Sequence, residues 1–187
     1  MKNRYIDLIE QTFYYPQEGF ETKDGQLEFN GVPLMELVKE YGTPLRLSYL
    51  PKISSQRQKA KRIFNEAIKE NNYNGQYFYS YCTKASHFSF VVEEALKNDI
   101  HLETSSAFDI NLVESLFNKG KVSTSQFIIC NGFKTEQYKA NILRLHKNGF
   151  SNIIPVLDNM PEVNYYQQHL EGKMKIGIRI AADEEPK

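Results

Sequence analysis

The sequence has no excess of either charge: 23 Lys and Arg residues balance 23 Asp and Glu residues over 187 positions. Because no net field attracts a polyanion, neither nucleic acid nor an anionic membrane surface is favoured as a partner. The sequence also lacks a long apolar run, including after the Met1-Lys2-Asn3-Arg4 start. We therefore expect neither a signal peptide nor a transmembrane helix, and we expect a soluble globular protein.

Cysteine is scarce, and the only two cysteines, Cys82 and Cys130, both fall in predicted strands. Free buried thiols in a reducing compartment are the simplest interpretation, which indicates a cytoplasmic protein. The sequence contains no CxxC pair, and its four histidines are scattered. No metal site is therefore predicted from ligand spacing.

The glycine motifs of nucleotide-binding α/β proteins, GxGxxG and the P-loop, are missing as well. What the chain does contain is a regular alternation of strands and helices from residue 51 onward, with strands roughly 25 residues apart. The predicted strands span residues 77–84, 100–105, 127–131, 153–158 and 175–181. Ser106 with Asp109 as a capping box, Thr135 and Asn159 are predicted to begin three of the helices between them. Repeated βα units of this kind predict a parallel sheet, and the missing glycine motifs favour a barrel over a doubly wound sheet.

The first 50 residues differ from the remainder. Turn signals separate short apolar pieces, at residues 14–16, 24–25 and 30–31. Residues 34–41 are predicted to form a helix that ends at Gly42, and residues 44–50 alternate like a strand. We therefore expect residues 1–50 to be an N-terminal extension and residues 51–187 to be the barrel portion.

The first barrel strand has two different sides. Tyr77, Tyr79 and Tyr81 lie on one side, and the other carries Phe78, Ser80, Cys82 and Lys84. Lys84 comes last, before a helix that Ser86 could cap. A lysine at the carboxyl end of a strand, on the side of small residues, is expected to enter a cavity. Such an amine can form a Schiff base with a carbonyl compound.

Polar residues also follow the other predicted strands, and in a parallel barrel the chemistry lies at these carboxyl ends. The strand ends carry Lys84, Glu103 to Ser106, Asn131-Gly132, Asp158-Asn159 and Arg179. Alternation along the strand places Glu103 on the face opposite to that of Leu102 and Thr104. In the last strand, Ile176, Ile178 and Ile180 share a face, which leaves Gly177 and Arg179 for the lumen. Any one of these side chains could be a solvated charge or a helix cap, but together they predict a polar pocket shared by Lys84, Glu103 and Arg179.

Several segments resemble those of pyridoxal-phosphate-dependent decarboxylases of the alanine-racemase-like fold. The similar segments are residues 81–86, 102–106, 129–134, 156–159 and 178–180, together with Gly42-Thr43-Pro44 ahead of a strand. Residues 14–20 and 84–89 make the chain resemble the bacterial biosynthetic arginine decarboxylases in particular. Diaminopimelate and ornithine decarboxylases are the nearest alternatives.

The resemblance implies a set of roles. Lys84 would hold pyridoxal 5′-phosphate through a Schiff base, and Arg179 would lie near the pyridine ring. Glu103 takes a position that the family usually gives to aspartate, while Asn131 and Asp158 would lie further out. His87 does not match the ring-stacking histidine of the family. The implied reaction is decarboxylation of a basic amino acid, L-arginine first, by a homodimer or higher homo-oligomer.

The number of predicted strands is too small for a closed barrel, which has eight βα units and about 250 residues. We therefore interpret the chain as the N-terminal part of a longer enzyme. The stacking histidine, the phosphate-binding loop, the acid that pairs with the pyridine nitrogen and a C-terminal β-domain are expected beyond Lys187. Alone, the chain is not expected to catalyse decarboxylation. A non-catalytic homologue of the same fold and a small pyridoxal-phosphate-binding homeostasis protein remain alternatives.

Overall fold

The structure is a computed structural model that describes residues 18–180. The chain divides into two compact units, Met1–Ser48 and Tyr49–Lys187. The turn predicted at residues 14–16 and the end of the strand predicted at 175–181 lie outside the described residues. Within residues 18–180, no helix has the length and apolar character needed to cross a bilayer.

The first unit contains a small antiparallel sheet of β1 (Phe20–Lys23), β2 (Gln26–Phe29) and β3 (Val32–Pro33), followed by α1 (Leu34–Tyr41). Both hairpin turns have positive φ angles at their two central residues, 50° and 77° at Asp24-Gly25 and again at Asn30-Gly31. Asp-Gly and Asn-Gly pairs adopt this left-handed geometry readily, which is why they signal hairpins in a sequence. Both predicted turns are confirmed.

The helix predicted at residues 34–41 is confirmed, and it ends at Gly42, whose φ is +79°. The strand predicted for residues 44–50 is wrong, because this segment has no strand partner and stays irregular. Alternating apolar residues indicate a strand only when one face is covered. Here the side chains of Leu45 and Leu47 remain 37% and 45% exposed.

The second unit alternates helices and strands as the sequence predicts. Its elements are α2 (Pro51–Glu70), β4 (Ser80–Cys82), α3 (Ser89–Leu96), β5 (His101–Thr104), α4 (Ala107–Asn118), β6 (Ile128–Cys130), α5 (Glu136–Lys147), β7 (Ile153–Leu157), α6 (Met160–His169) and β8 (Gly177–Ile178). The five strands lie in the sheet in sequence order, and every neighbouring pair is parallel. In a doubly wound sheet the order of the strands reverses at a switch point. The order here does not reverse, which confirms the barrel prediction.

Local helix signals account for most helix starts in this unit. Ser106, Thr135 and Asn159 are the N-cap residues of α4, α5 and α6. Each side-chain oxygen accepts a hydrogen bond from the backbone N–H three residues later, at 3.3, 3.2 and 3.0 Å respectively. These bonds satisfy donors that the first helical turn leaves unpaired. The three predicted caps are confirmed.

The cap predicted at Ser86 is wrong. Helix α3 begins only at Ser89, and its N-cap residue, Phe88, makes no side-chain cap. The backbone carbonyl of Ser86 instead accepts a hydrogen bond from the hydroxyl of Tyr81 at 2.9 Å. Strand β4 is also shorter than predicted, so Lys84 lies in the turn that follows the strand.

The core of this unit fills the space between the sheet and its helices. Leu102 and Thr104 of β5 are fully buried, as are Ile128 and Cys130 of β6. The hydroxyl of Thr104 lies 2.9 Å from that of Tyr138 on α5, so both polar groups are satisfied inside the core. Burial raises the pKa of the Cys130 thiol to about 12. The alternate residues of the strands consequently face the lumen.

The candidate active site

A cavity of about 520 Å³ lies at the carboxyl ends of the parallel strands. All five strands or the turns that directly follow them contribute to its wall. The lining residues are Lys84, Glu103, Ser105, Asn131, Gly132, Val156 and Arg179. The structure therefore brings Lys84, Glu103 and Arg179 together at one cavity, although they are up to 95 positions apart in the sequence.

The position of Lys84 is set by the hydrogen bonds of the preceding residue, Thr83. Thr83 is fully buried, and both its backbone N–H and its hydroxyl donate to the carbonyl oxygen of Glu103, at 3.0 and 3.1 Å. These two bonds continue the β4–β5 pairing beyond the end of β4, and they leave the next side chain at the cavity wall. Lys84 itself is exposed and forms no ion pair with any residue of the described range 18–180. Its amine is therefore accessible to a carbonyl compound.

Glu103 is held in the lumen by two donors. Asn131 Nδ2 donates to Glu103 Oε1 at 3.2 Å, and the Cys82 thiol lies 3.8 Å from the same oxygen. The other end of the amide, Asn131 Oδ1, accepts a hydrogen bond from the Gly132 N–H at 3.0 Å. Three neighbouring strands are thus linked through side chains at the cavity. The resulting arrangement orients a carboxylate towards the space beside Lys84.

Arg179 directly follows β8 and is the last residue along the described chain that lines the cavity. Its backbone N–H donates to the Leu157 carbonyl at 3.0 Å, and its Nε lies 3.6 Å from Asp158 Oδ1. The Arg179 side chain is 60% exposed, so solvent screens this pair and its contribution to stability is small. Asp158 does not line the cavity, but its carboxylate orients the guanidinium that does.

An aromatic cluster occupies the lumen side of the sheet one layer before these strand ends. The ring centroids of Phe78 and Phe127 lie 5.6 and 4.8 Å from that of His101. The Phe127 backbone N–H donates to His101 Nδ1 at 3.2 Å. Desolvation lowers the pKa of His101, which favours the neutral ring. The charged groups at the strand ends thus lie next to an aromatic layer, where the Lys175 amine lies 5.4 Å from the Phe127 ring centroid.

Ser106 and Asp109 lie beside the cavity wall, and the sequence predicted only their role at the start of α4. The spacing of Ser106 and Asp109 predicted a capping box. In the structure the Asp109 carboxylate reaches one residue further back, where Oδ2 accepts from the backbone N–H of Ser105 at 2.8 Å and lies 3.4 Å from its hydroxyl oxygen. Ser105 lines the cavity, so the buried carboxylate of Asp109 fixes part of the site as well as the start of α4.

The buried pair of Lys134 and Glu162 was missed altogether. Lys134 Nζ is fully buried and donates to the carbonyls of Gly132 and Val156, and it lies 3.3 Å from Glu162 Oε2. The Glu162 carboxylate also accepts from the backbone N–H groups of Lys134 and Asp158, at 3.0 and 3.1 Å. This pair joins the loop after β6 to the end of β7 and the residue that follows it, and Gly132 and Val156 of these segments line the cavity. The Asn159-x-x-Glu162 spacing was a sequence signal for the acid, but nothing local pointed to its lysine partner.

The remaining predicted positions are less involved. His87 is exposed in the loop after β4 and does not line the cavity. Among the described residues, no group of three or more His, Cys, Asp or Glu side chains could hold a metal ion.

The cavity volume lies within the range of about 300–1,000 Å³ that is usual for small-molecule sites. An accessible amine, a carboxylate and a guanidinium in one such cavity fit a small anionic aldehyde cofactor.

Several known decarboxylases are similar to this chain. A biosynthetic arginine decarboxylase of Bacteroides thetaiotaomicron is 28% identical over 161 residues, which cover 80% of this chain and 25% of that protein. The biosynthetic arginine decarboxylase structure of Campylobacter jejuni matches with a TM-score of 0.65 at 23% identity, covering 87% of this chain and 29% of that chain. Diaminopimelate decarboxylase of M. jannaschii matches with a TM-score of 0.72 at 19% identity, covering 90% and 37%. No protein-family model matches the chain.

The strand order and the structural neighbours define the chain as a partial α/β barrel of the alanine-racemase-like type. The resemblance to the decarboxylases of this fold is confirmed, and the sequence relatives include biosynthetic arginine decarboxylases. The chain spans about a quarter of the length of the curated relatives it matches.

Proposed function

We propose that the protein takes part in the pyridoxal-phosphate-dependent decarboxylation of a basic amino acid, with Lys84 as the residue that holds the cofactor. The observation that supports this most is the convergence of all five strand ends on one cavity with Lys84, Glu103 and Arg179 in its wall. Residues 51–187 would supply the N-terminal portion of the cofactor-binding barrel, and residues 1–50 an N-terminal extension that is part of the β-domain and entry segment. Completing the site would need residues from a longer protein.

The side chains at the cavity have separable tasks in this proposal. When bound, pyridoxal phosphate supplies an electron sink for the electron pair that stays on the substrate after carbon dioxide leaves. The Lys84 amine would hold the cofactor, because it is accessible and not engaged in an ion pair within residues 18–180. Glu103, held by Asn131, and Arg179, oriented by Asp158, would place donors and acceptors around the ring. Gly132 has a φ of +72°, a left-handed conformation that favours glycine, so the turn after β6 at the cavity wall depends on this residue.

L-Arginine is the substrate that the relatives support, and agmatine for polyamine biosynthesis would be the product. Free Cys82 and Cys130 thiols fit a reducing cytoplasm. A homodimer or higher homo-oligomer is proposed for the full-length enzyme, in line with the resemblance given above. Diaminopimelate and ornithine remain the substrates to exclude, because none of the cavity residues described within 18–180 is assigned to the far end of the substrate.

Borohydride trapping tests the lysine assignment directly. The protein is incubated with pyridoxal phosphate, reduced and digested, and the phosphopyridoxyl peptide is identified by mass spectrometry. We expect the label at Lys84 and its loss in Lys84→Ala, while Lys147→Ala, which removes an exposed lysine on α5, keeps it. A saturable label at another lysine, or one that persists in Lys84→Ala, contradicts the proposal.

Substrate assays separate the remaining possibilities. Carbon dioxide release from arginine, ornithine and diaminopimelate is measured with the full-length protein and with the 187-residue chain alone. We expect turnover of arginine by the former and none by the latter. Preferred turnover of another amino acid changes the substrate, and cofactor trapping without any turnover by the full-length protein favours the non-catalytic alternative. Turnover by the isolated chain would show that the five strands suffice.

A further inference from the structure

A second cavity, of about 450 Å³, lies on the opposite face of β4 from the candidate active site. Its wall is formed by α2, by Tyr79 and Tyr81 of the β4 region, and by Ala95 and Ile100. Side chains on successive residues of a strand point to opposite faces of the sheet. The two tyrosines therefore point away from the lumen that receives Cys82 and Lys84. The cavity is separate from the proposed cofactor site.

The wall of this second cavity is mainly apolar, and two of its residues, Lys52 and Arg57, carry a positive charge. Ile53 and Ala60 of α2 contribute apolar surface, and Arg57 lies between them on the same helix face. Arg57 is only 7% exposed. A mostly apolar cavity of this volume with few polar groups has the usual character of a small-molecule site.

Arg57 is buried without an acceptor. Its Nε and Nη1 atoms are enclosed and form no hydrogen bond, and no ion pair compensates the charge within the part of the chain that the structure describes. The guanidinium lies over the rings of Tyr77 and Tyr79, with its Cζ atom 5.5 and 5.1 Å from the two ring centroids. Cation–π contacts offset only part of the desolvation of a buried charge. The third nitrogen, Nη2, is not enclosed in this way and remains available for a ligand at the cavity.

One acid of α3 contacts α2, and it bonds to groups other than Arg57. Glu94 on α3 accepts hydrogen bonds from Ser54 at 2.8 Å and from Lys97 at 2.7 Å. Ser54 is in turn bound by the Asn98 amide at 2.9 Å, so this polar group is complete without Arg57. The Arg57 charge is therefore left for an anion that comes from outside this cluster.

We propose that the second cavity binds an amphipathic monocarboxylate, whose carboxylate pairs with Arg57 Nη2 and whose apolar body fills the space between α2 and β4. A carboxylate matches the planar guanidinium and compensates a charge whose Nε and Nη1 atoms have no acceptor. An apolar body of moderate size removes the surface of Ile53, Ala60 and Tyr79 from water. This site does not depend on the proposed decarboxylase function.

Calorimetric titration with 4-phenylbutyrate, compared with 4-phenylbutyramide, tests the proposal. The amide has the same size and apolar body but no charge. We expect the carboxylate to bind at least ~10-fold more tightly than the amide, which corresponds to a charge-assisted bond in place of a neutral one. Arg57→Met should abolish this preference. Arg62→Met is the matched control, because Arg62 is exposed on the same helix and pairs with Glu66 instead.

A second variant keeps the test decisive if Arg57→Met does not fold. Ala60→Leu leaves the Arg57 charge in place and fills part of the cavity, so it should weaken binding of both ligands. Circular dichroism and the urea midpoint confirm that each variant is folded. The proposal is overturned if folded Arg57→Met keeps the preference for the carboxylate, if folded Ala60→Leu binds both ligands as the unaltered protein does, or if the unaltered protein binds 4-phenylbutyrate no more tightly than the amide. Lys84→Ala should leave this binding unchanged.

Discussion

The two cysteine thiols differ in environment although both lie in strands of one sheet. Cys82 faces the lumen and is partly accessible, with its sulfur 3.8 Å from a Glu103 oxygen. Cys130 is fully buried on the helix side of β6, where desolvation raises its pKa to about 12. Because the thiolate is the reactive form, burial and a raised pKa both suppress reaction at Cys130.

Thiol labelling with Ellman's reagent should therefore distinguish the two residues. We expect Cys82 to react in the folded protein, and Cys130 to react only after urea unfolding. Cys82→Ser should leave the native protein almost unlabelled. Rapid native labelling of Cys130, detected by peptide mapping, would contradict the burial of the β6 face.

Lys134 and Glu162 form the most buried ion pair among the described residues, with side chains 0% and 2% exposed. Removing one partner of such a pair leaves a charge uncompensated, which typically costs about 3–5 kcal/mol. We expect Lys134→Met to lower the free energy of unfolding by this amount, as measured by urea denaturation. Adding Glu162→Gln should recover part of the loss, since no charge then remains buried, whereas the control Lys147→Met should change little. Additive losses in the double variant would show that the two groups are not coupled.

At the scale of elements, the barrel helices fall into two groups by how they begin. Helices α4, α5 and α6 each have a side-chain cap, whereas α3 has none. The difference follows from sequence spacing, because Ser86 lies too far from the first turn of α3 to serve it. The stability of α3 must instead come from packing, for which Val92 and Ala95 are buried.

A cap substitution tests this division. Thr135→Ala removes the side-chain acceptor of the Tyr138 N–H at the start of α5. We expect a loss of about 1 kcal/mol in the free energy of unfolding, within the usual range for N-cap removal. Ser86→Ala should change stability much less, because the contact that Ser86 makes is through its backbone carbonyl. A larger effect at Ser86 would mean that its side chain caps α3 after all.

At the scale of the whole molecule, buried thiol and phenol groups that must stay neutral make the stability fall at alkaline pH. Burial raises the pKa of Cys130 to about 12, and desolvation also raises the pKa values of Tyr138 and Tyr166. In the unfolded chain these groups ionise near their ordinary values of about 8.5 for Cys and 10 for Tyr. The unfolded state therefore loses protons first as the pH rises. The stability contributed by the neutral groups is intact below about pH 8.5 and is lost as the pH rises towards 12.

Urea midpoints measured from pH 7 to 10.5 should therefore fall on the alkaline side. Each such group contributes a slope of about 1.4 kcal/mol per pH unit once its unfolded form has ionised. Cys130→Ala should flatten the first part of the decline, between about pH 8.5 and 10. A stability that stays constant to pH 10.5 would contradict the burial of these three residues.

The sequence by itself determined the order of the βα units, the caps of three helices and the face on which Lys84, Glu103 and Arg179 lie. These features depend on period-two alternation and on contacts within a few residues, so they are visible without distant partners. Only the tertiary structure decided which distant groups meet. Lys134 pairs with Glu162, Thr83 binds Glu103, and Arg57 is buried without an acid. The segment at residues 44–50 shows the same limit, because its alternating residues needed a neighbouring strand that the fold does not provide.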